Sequence, residues 1–145
     1  IEKVVGNNYT NEPMAFLLED SEIQEEIEPY IMARIVDFEE FIRQYPFDII
    51  SIHDDLHFII DDPIMECNCG DFSLRWDAAG NTILERGGTR GETVRCDIQT
   101  LTAMFYGYKR PTYLKRVERL QANDTAVRIL EDIIPIEQPY FSDYF

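Results

Sequence analysis

The sequence predicts an α+β domain, a largely antiparallel sheet with helices covering one face, because its hydrophobic period changes twice. Residues 38–45 repeat apolar side chains every three or four positions, residues 56–98 every second position, and residues 98–134 every three or four again. The first spacing lines one stripe of a helix and the second lines one face of a strand. Helix, then strands, then helices is the order of a sheet backed by helices rather than of alternating βα units.

Ala15-Phe16-Leu17-Leu18-Glu19 is a short apolar run expected to form a strand, and the acidic stretch Asp20 to Glu28, followed by Pro29, reads as a linker. Asp37-Phe38-Glu39-Glu40 opens a helix, since the Asp37 carboxylate can accept from first-turn amides and acids suit the positive helix end. Phe38, Phe41, Ile42 and Tyr45 share its buried stripe, and Pro46 ends it. Leu56, Phe58 and Ile60, then Phe72, Leu74 and Trp76, mark strands with one covered face. Asp77-Ala78-Ala79-Gly80-Asn81 supplies a turn before the strand Thr82 to Arg86. A second turn, Arg86-Gly87-Gly88-Thr89-Arg90-Gly91, leads to Val94, Cys96 and Ile98 at alternate positions. An antiparallel meander is the simplest arrangement of these strands. Asp97 can cap a helix carrying Ile98, Leu101, Met104 and Phe105, with Gly107 near its end. Pro111 suits the first turn of a helix with Leu114, Val117 and Leu120 on its apolar face, and Asp124 is expected to cap Thr125 to Ile134.

At 145 residues the chain suits one compact domain whose core needs neither disulfides nor metals. It opens on Ile1 without an initiator Met or the basic and apolar start of a signal peptide, and so reads as a piece of a longer protein. No apolar stretch approaches the length of a membrane span. A 45% hydrophobic composition with nine Phe, eight Tyr and one Trp excludes intrinsic disorder. The net charge of −15 is uneven: −13 over residues 1–62 and −2 over residues 63–145. Such a field repels nucleic acid and anionic membranes and draws cationic ligands, while also serving plain solubility. Lys109, Arg110, Lys115, Arg116 and Arg119 are expected on an exposed helix face, where they do not make a nucleic-acid site in an acidic chain.

Cys67, Cys69 and Cys96 are odd in number, and C-x-C spacing is not the C-x2-C of structural zinc sites, so free thiols in a cytoplasmic protein are expected. His53 and His57 flank Asp54 and Asp55 at a predicted turn, and no metal site follows from them. No glycine-rich phosphate loop or Cys-His dyad is present. The chain ends on Pro139-Tyr140-Phe141-Ser142-Asp143-Tyr144-Phe145, four aromatic residues in seven with an α-carboxylate of pKa about 3.5 on the last. Rings left in water would form an apolar patch, so this tail is expected to dock and to place one negative charge at a fixed point.

Four phrases carry a resemblance. They are Tyr30-Ile31-Met32-Ala33-Arg34-Ile35-Val36-Asp37 ahead of Tyr45-Pro46-Phe47; Asp62-Pro63 with Asn68-Cys69-Gly70-Asp71-Phe72; Asp97-Ile98-Gln99-Thr100-Leu101 running to Phe105-Tyr106-Gly107-Tyr108; and Pro139 to Phe145. In this order they resemble the C-terminal part of bacterial Eis-like acetyltransferases, in which tandem GNAT-type domains precede a sterol-carrier-protein-like domain. The resemblance implies that residues 1–29 are the trailing edge of a GNAT-like domain and residues 30–145 the sterol-carrier-like domain. It implies acetyl-CoA as the cofactor of the full-length protein, bound by the GNAT part and not by this chain. The implied partners are those GNAT domains, a cationic amine substrate and further copies in a hexamer. It gives Phe145 a catalytic role through its main-chain carboxylate, opposite a tyrosine acid supplied by the GNAT domain. Tyr140, Asp143 and Tyr144 become substrate-side residues, with Tyr140, Phe141 and Tyr144 anchoring the tail. Three other outcomes stay open: rings that merely pack with Phe145 as a plug, a carrier of lipids or other apolar ligands, and a purely structural oligomerisation domain.

Overall fold

A computed structural model describes residues 32–48 and 54–137, together with Glu19, Gln24 and Glu26. The chain divides into two compact units, Ile1–Met32 and Ala33–Phe145. The strand expected at residues 15–19 falls outside the described residues except for Glu19, as do His53 and the terminal tail.

Helix α1 (Phe38–Gln44) starts as its sequence dictates, with the Asp37 carboxylate accepting from the Glu40 amide, and stops at Tyr45 ahead of Pro46. Strand β1 (Leu56–Asp61) is followed by a 3-10 turn (Glu66–Asn68) and then β2 (Gly70–Trp76), β3 (Thr82–Arg86) and β4 (Glu92–Asp97). Helix α2 (Ile98–Phe105) begins where β4 ends, its first turn capped by Asp97 through the Thr100 amide. Helix α3 (Pro111–Arg116), the two-residue strand β5 (Gln121–Ala122) and α4 (Asp124–Ile133) complete the order. This is a mixed α+β domain on a five-stranded sheet with strand order β3-β2-β1-β4-β5.

The meander is corrected at one joint. β1, β2 and β3 pair antiparallel, but β4 runs parallel to β1 on the far side of the sheet, with Phe58 opposite Val94 and Ile60 opposite Cys96. Residues 87–91 therefore form a crossover strap. They cross the face opposite the core, and the Ser73 hydroxyl accepts from the Arg90 amide at 2.8 Å and donates to the Arg90 carbonyl at 3.0 Å. Two glycines make that approach possible. A Cβ on Gly88 would stand 2.7 Å from Ser73 Oγ, and one on Gly91, at φ +103, would overlap the Asp55 carbonyl. Gly91→Ala is expected to destabilise the domain by about 3 kcal/mol, read from urea unfolding, because it combines backbone strain with a backbone clash.

The period-2 pattern fills one face. Leu56, Phe58, Phe72, Leu74 and Val94 are wholly buried, packed with Phe38 and Ile42 of α1, Ile98, Leu101 and Met104 of α2, and Leu130 and Ile133 of α4. Three expectations about the helices shift. α3 ends at Arg116, not Leu120: Glu118 takes φ +61, the Arg119 amide turns back to the Leu114 carbonyl, and Val117 points to solvent while Leu120 stays buried. α4 is capped by Asn123, whose side chain accepts from the Ala126 amide, and Asp124 is the first helical residue. The basic set is not a free exposed face, since Arg110, Lys115 and Arg119 pair with Glu131, Asp124 and Asp97.

Candidate functional site

Tyr140, Asp143, Tyr144 and Phe145, the residues singled out by the sequence, lie outside the described residues. The described residues nearest to them in sequence are those at the end of α4. α4 ends at Ile133, and the carbonyls there are taken up from two sides. The Asp48 amide donates to the Ile133 carbonyl at 2.9 Å. The Arg110 guanidinium donates to the carbonyls of Glu131 at 2.7 Å, Ile134 at 2.9 Å and Pro135 at 3.1 Å. Its Nε donates to the Glu131 carboxylate at 2.7 Å, whose other oxygen accepts from the Thr112 amide at 2.8 Å. Partial burial pushes the Glu131 carboxyl up, but the bonds from Thr112 and Arg110 outweigh it and hold it below the usual range.

An aromatic seam runs through the same side of the domain. Phe105 meets Tyr45, Phe41 and Phe47 edge-on at 5.0, 5.9 and 6.2 Å, and Phe47 meets Trp76 at 6.0 Å. The Tyr45 hydroxyl donates to the Phe105 carbonyl at 2.8 Å. Burial pushes its pKa up to about 12, with the Arg110 charge opposing and Asp48 adding to the rise. Tyr45 is therefore a neutral structural donor at physiological pH, not an acid in reserve.

A second polar cluster explains two of the internal phrases. Asp62 is buried and accepts from Arg34 Nη2, the Ile64 amide at 2.9 Å, the Met65 amide at 3.0 Å and Asn68 Nδ2 at 2.8 Å. Asn68 in turn accepts from the Phe38 amide at 2.9 Å and donates to the Val36 carbonyl at 3.1 Å. Burial pushes the Asp62 carboxyl up, yet the donors from Asn68, Met65, Ile64 and Arg34 together hold it far below the usual carboxylate range. The knot ties the segment before α1 to the loop after β1.

The remaining chemical groups do not assemble a catalytic set. His57 sits in β1, not at a turn, because it belongs to the period-2 run; its Nε2 lies 2.7 Å from Asp71 Oδ1. Ser73 is its cross-strand neighbour, but the strap's backbone engages that hydroxyl fully, so this Asp, His and Ser do not form a nucleophilic triad. Cys96 is buried, and burial pushes its thiol well up, leaving it unreactive. Cys69 Sγ is bonded to the backbone of Asp62. No group of His, Cys, Asp and Glu that could hold a metal occurs among the described residues.

Two open depressions stand out. One, of about 540 Å³, lies at the ends of β1 and β4 and is lined by Asp61, Arg95, Asp97, Glu118 and Arg119 among others. The other, of about 440 Å³, runs along α1 between Arg34 and Tyr106. Neither is an enclosed apolar tunnel of the kind a lipid carrier needs. The glycine strap packs on Ser73 and Asp55 rather than presenting amides at a helix start, so it does not suit the phosphates of coenzyme A. Among the described residues, no helix is long and apolar enough to cross a membrane.

Sequence reasoning missed Arg110, Glu131, Arg34, Asp62 and Asn68 as a functional framework. The signal available was weak, an arginine immediately before a helix-starting proline and an aspartate before Pro63.

Residues 38–142 match the family model for the sterol carrier protein domain. Among solved structures, 94% of the chain aligns with 34% of an Enterococcus faecalis protein described as a probable N-acyltransferase, at 29% identity and a TM-score of 0.81. GCN5-related N-acetyltransferases share the fold. The one from Anabaena variabilis has 23% identity and a TM-score of 0.66, with 91% of this chain on 33% of that one. The one from Kribbella flavida has 21% identity and a TM-score of 0.64, with 95% on 35%. The chain spans about a third of the length of these structures. No curated protein matches it.

Proposed function

The chain belongs to the sterol carrier protein domain family, and from that premise we propose that it is the C-terminal domain of an acetyl-CoA-dependent N-acetyltransferase of Eis-like type, lending its terminal carboxylate to the acceptor site. One observation carries this: almost the whole chain follows a third of a probable N-acyltransferase. The core packing among the described residues and the open form of the two depressions support it over a lipid-carrier role.

In this reading the Phe145 carboxylate holds the incoming amine in attacking geometry. The amine loses one proton to water and adds to the thioester as the free base. The carboxylate takes the second proton from the nitrogen of the tetrahedral adduct, directly or through water, and the C–S bond breaks to release the coenzyme thiolate. A carboxylate of pKa about 3.5 is a weak base toward a free ammonium but an adequate one toward the far more acidic tetrahedral adduct. Tyr140, Asp143 and Tyr144 stand on the substrate side. The net charge of −15 favours a cationic amine acceptor, such as a polyamine, an aminoglycoside or a lysine side chain. Acetyl-CoA and the tyrosine acid belong to the rest of the parent enzyme. The same parent supplies the contacts of a cytoplasmic hexamer.

Deleting Phe145 from the full-length enzyme, or extending the chain by a few residues, is expected to lower kcat by about 100-fold or more on a panel of polyamines and aminoglycosides, with circular dichroism unchanged. Undiminished turnover in a folded deletion variant would contradict the role. The isolated chain is expected to show no saturable acetyl-CoA binding by calorimetry.

A further inference from the structure

Helix α3 closes on a residue that does not suit the position. The Glu118 amide donates to the Lys115 carbonyl at 3.0 Å and the Arg119 amide to the Leu114 carbonyl at 2.9 Å, so Glu118 takes the left-handed place that ends a helix. Glycine is the usual occupant, because a Cβ at positive φ crowds the backbone. Glu118, at φ +61, is the one non-glycine residue with positive φ among the described residues. Its carboxylate has no hydrogen bond or ion pair with any other described residue, so the packing of the domain does not require it. The residue lies instead on the depression of about 540 Å³ at the ends of β1 and β4. The other charges there sort into two kinds. Asp97 and Arg119 cancel one another at 3.1 Å. Asp61 and Arg95 have no partner among the described residues, although the strand register sets them on one side of the sheet and one row apart, with Ile59 opposite Arg95 and Asp61 opposite Asp97.

We propose that this depression binds a free dibasic amino acid, such as lysine or ornithine, with the ligand carboxylate on Arg95, its α-ammonium on Asp61 and its side-chain ammonium on Glu118. The charges left over on the wall are two negative and one positive, and such a ligand carries the reverse. A guanidinium fork matches a carboxylate in two parallel bonds. Ile59, partly exposed beside Arg95, offers an apolar surface for the methylenes between the two ammonium groups. A polyamine would leave Arg95 opposed by a like charge, and a dicarboxylate would do the same to Asp61 and Glu118. The acidic field of the chain attracts any cation, but it does not favour a carboxylate on the ligand. That difference makes the site specific. The inference is independent of acetyl transfer, since the ligand is bound and does not react.

Titration of the 145-residue chain with lysine, followed by amide NMR, is expected to give saturable shifts at Asp61, Arg95 and Glu118 with a Kd of about 1 mM, weakening as salt is added. Cadaverine, which is lysine without its carboxylate, is expected to bind about fivefold more weakly, the scale of one exposed ion pair. Arg95→Gln is expected to abolish that preference. Glu118→Gly is expected to weaken lysine binding about fivefold and to raise the melting temperature, because glycine relieves the backbone at this position. Lost affinity together with gained stability separates a ligand contact from a structural one. Cadaverine binding as tightly as lysine would show general attraction of cations and would overturn the proposal. Lysine affinity unchanged in folded Glu118→Gly overturns it too, as does the absence of saturable shifts at these three amides up to about 20 mM lysine. None of these outcomes bears on Phe145, whose test is turnover.

Discussion

Replacing Asp62 with Ala is expected to lower the unfolding free energy by about 3 kcal/mol, the scale on which a buried charged pair loses one member. Four donors converge on this carboxylate: Arg34, Asn68 and the amides of Ile64 and Met65. Removing it leaves them to find water at a site where Asp62 itself is only 4% exposed. The damage extends beyond the loop, because Asn68 carries the strain onward to the Phe38 amide and the Val36 carbonyl and so to the start of α1. Asp62→Asn keeps the volume but turns an amide donor toward donors, and is expected to cost most of the same amount.

The pH dependence gives this prediction a signature. The folded-state pKa of Asp62 lies below its ordinary value of 3.8, so its stabilising contribution is fully present above about pH 4 and is lost as the pH falls through the acid range. Glu131 acts with the same sign below its ordinary 4.5. Thermal unfolding of the wild type between pH 5 and pH 2 is therefore expected to steepen on the acid side, and Asp62→Asn is expected to flatten that slope. Equal slopes in the two proteins would show that the carboxylate is not held by its donors.

What could be read from sequence divides along the range of the interactions. The caps at Asp37 and Asp97 and the proline start of α3 are settled within four residues, and each formed as its local chemistry dictates. Period-2 spacing likewise identified Leu56, Phe58, Phe72 and Leu74 as the inner face. The same spacing is blind to pairing partners, because a strand buries alternate residues whether its neighbour is parallel or antiparallel, so the crossover of β4 to β1 was missed. Asn123 and Asp124 are both competent caps, and only hydrogen-bond geometry chose between them. Val117 keeps its helical bond to the Tyr113 carbonyl yet faces solvent, and the left-handed turn at Glu118 then takes the chain off the helix before the buried Leu120. The Arg34–Asp62 and Arg110–Glu131 pairs join residues 28 and 21 positions apart and leave no periodic trace. The tail was conspicuous for its rings, while the Arg110 bonds at the end of α4, made of one guanidinium and backbone carbonyls, were not.

The central claim concerns the terminal carboxylate, and exchanging one of its two oxygens for an amide nitrogen tests it most directly. Semisynthesis of the full-length enzyme with a Phe145 carboxamide keeps every ring and every residue and removes only the terminal charge. The expected result is a fall in kcat of about 100-fold or more at unchanged melting temperature and unchanged KM for acetyl-CoA. Turnover equal to that of the free acid would contradict the claim and leave the aromatic tail with packing alone.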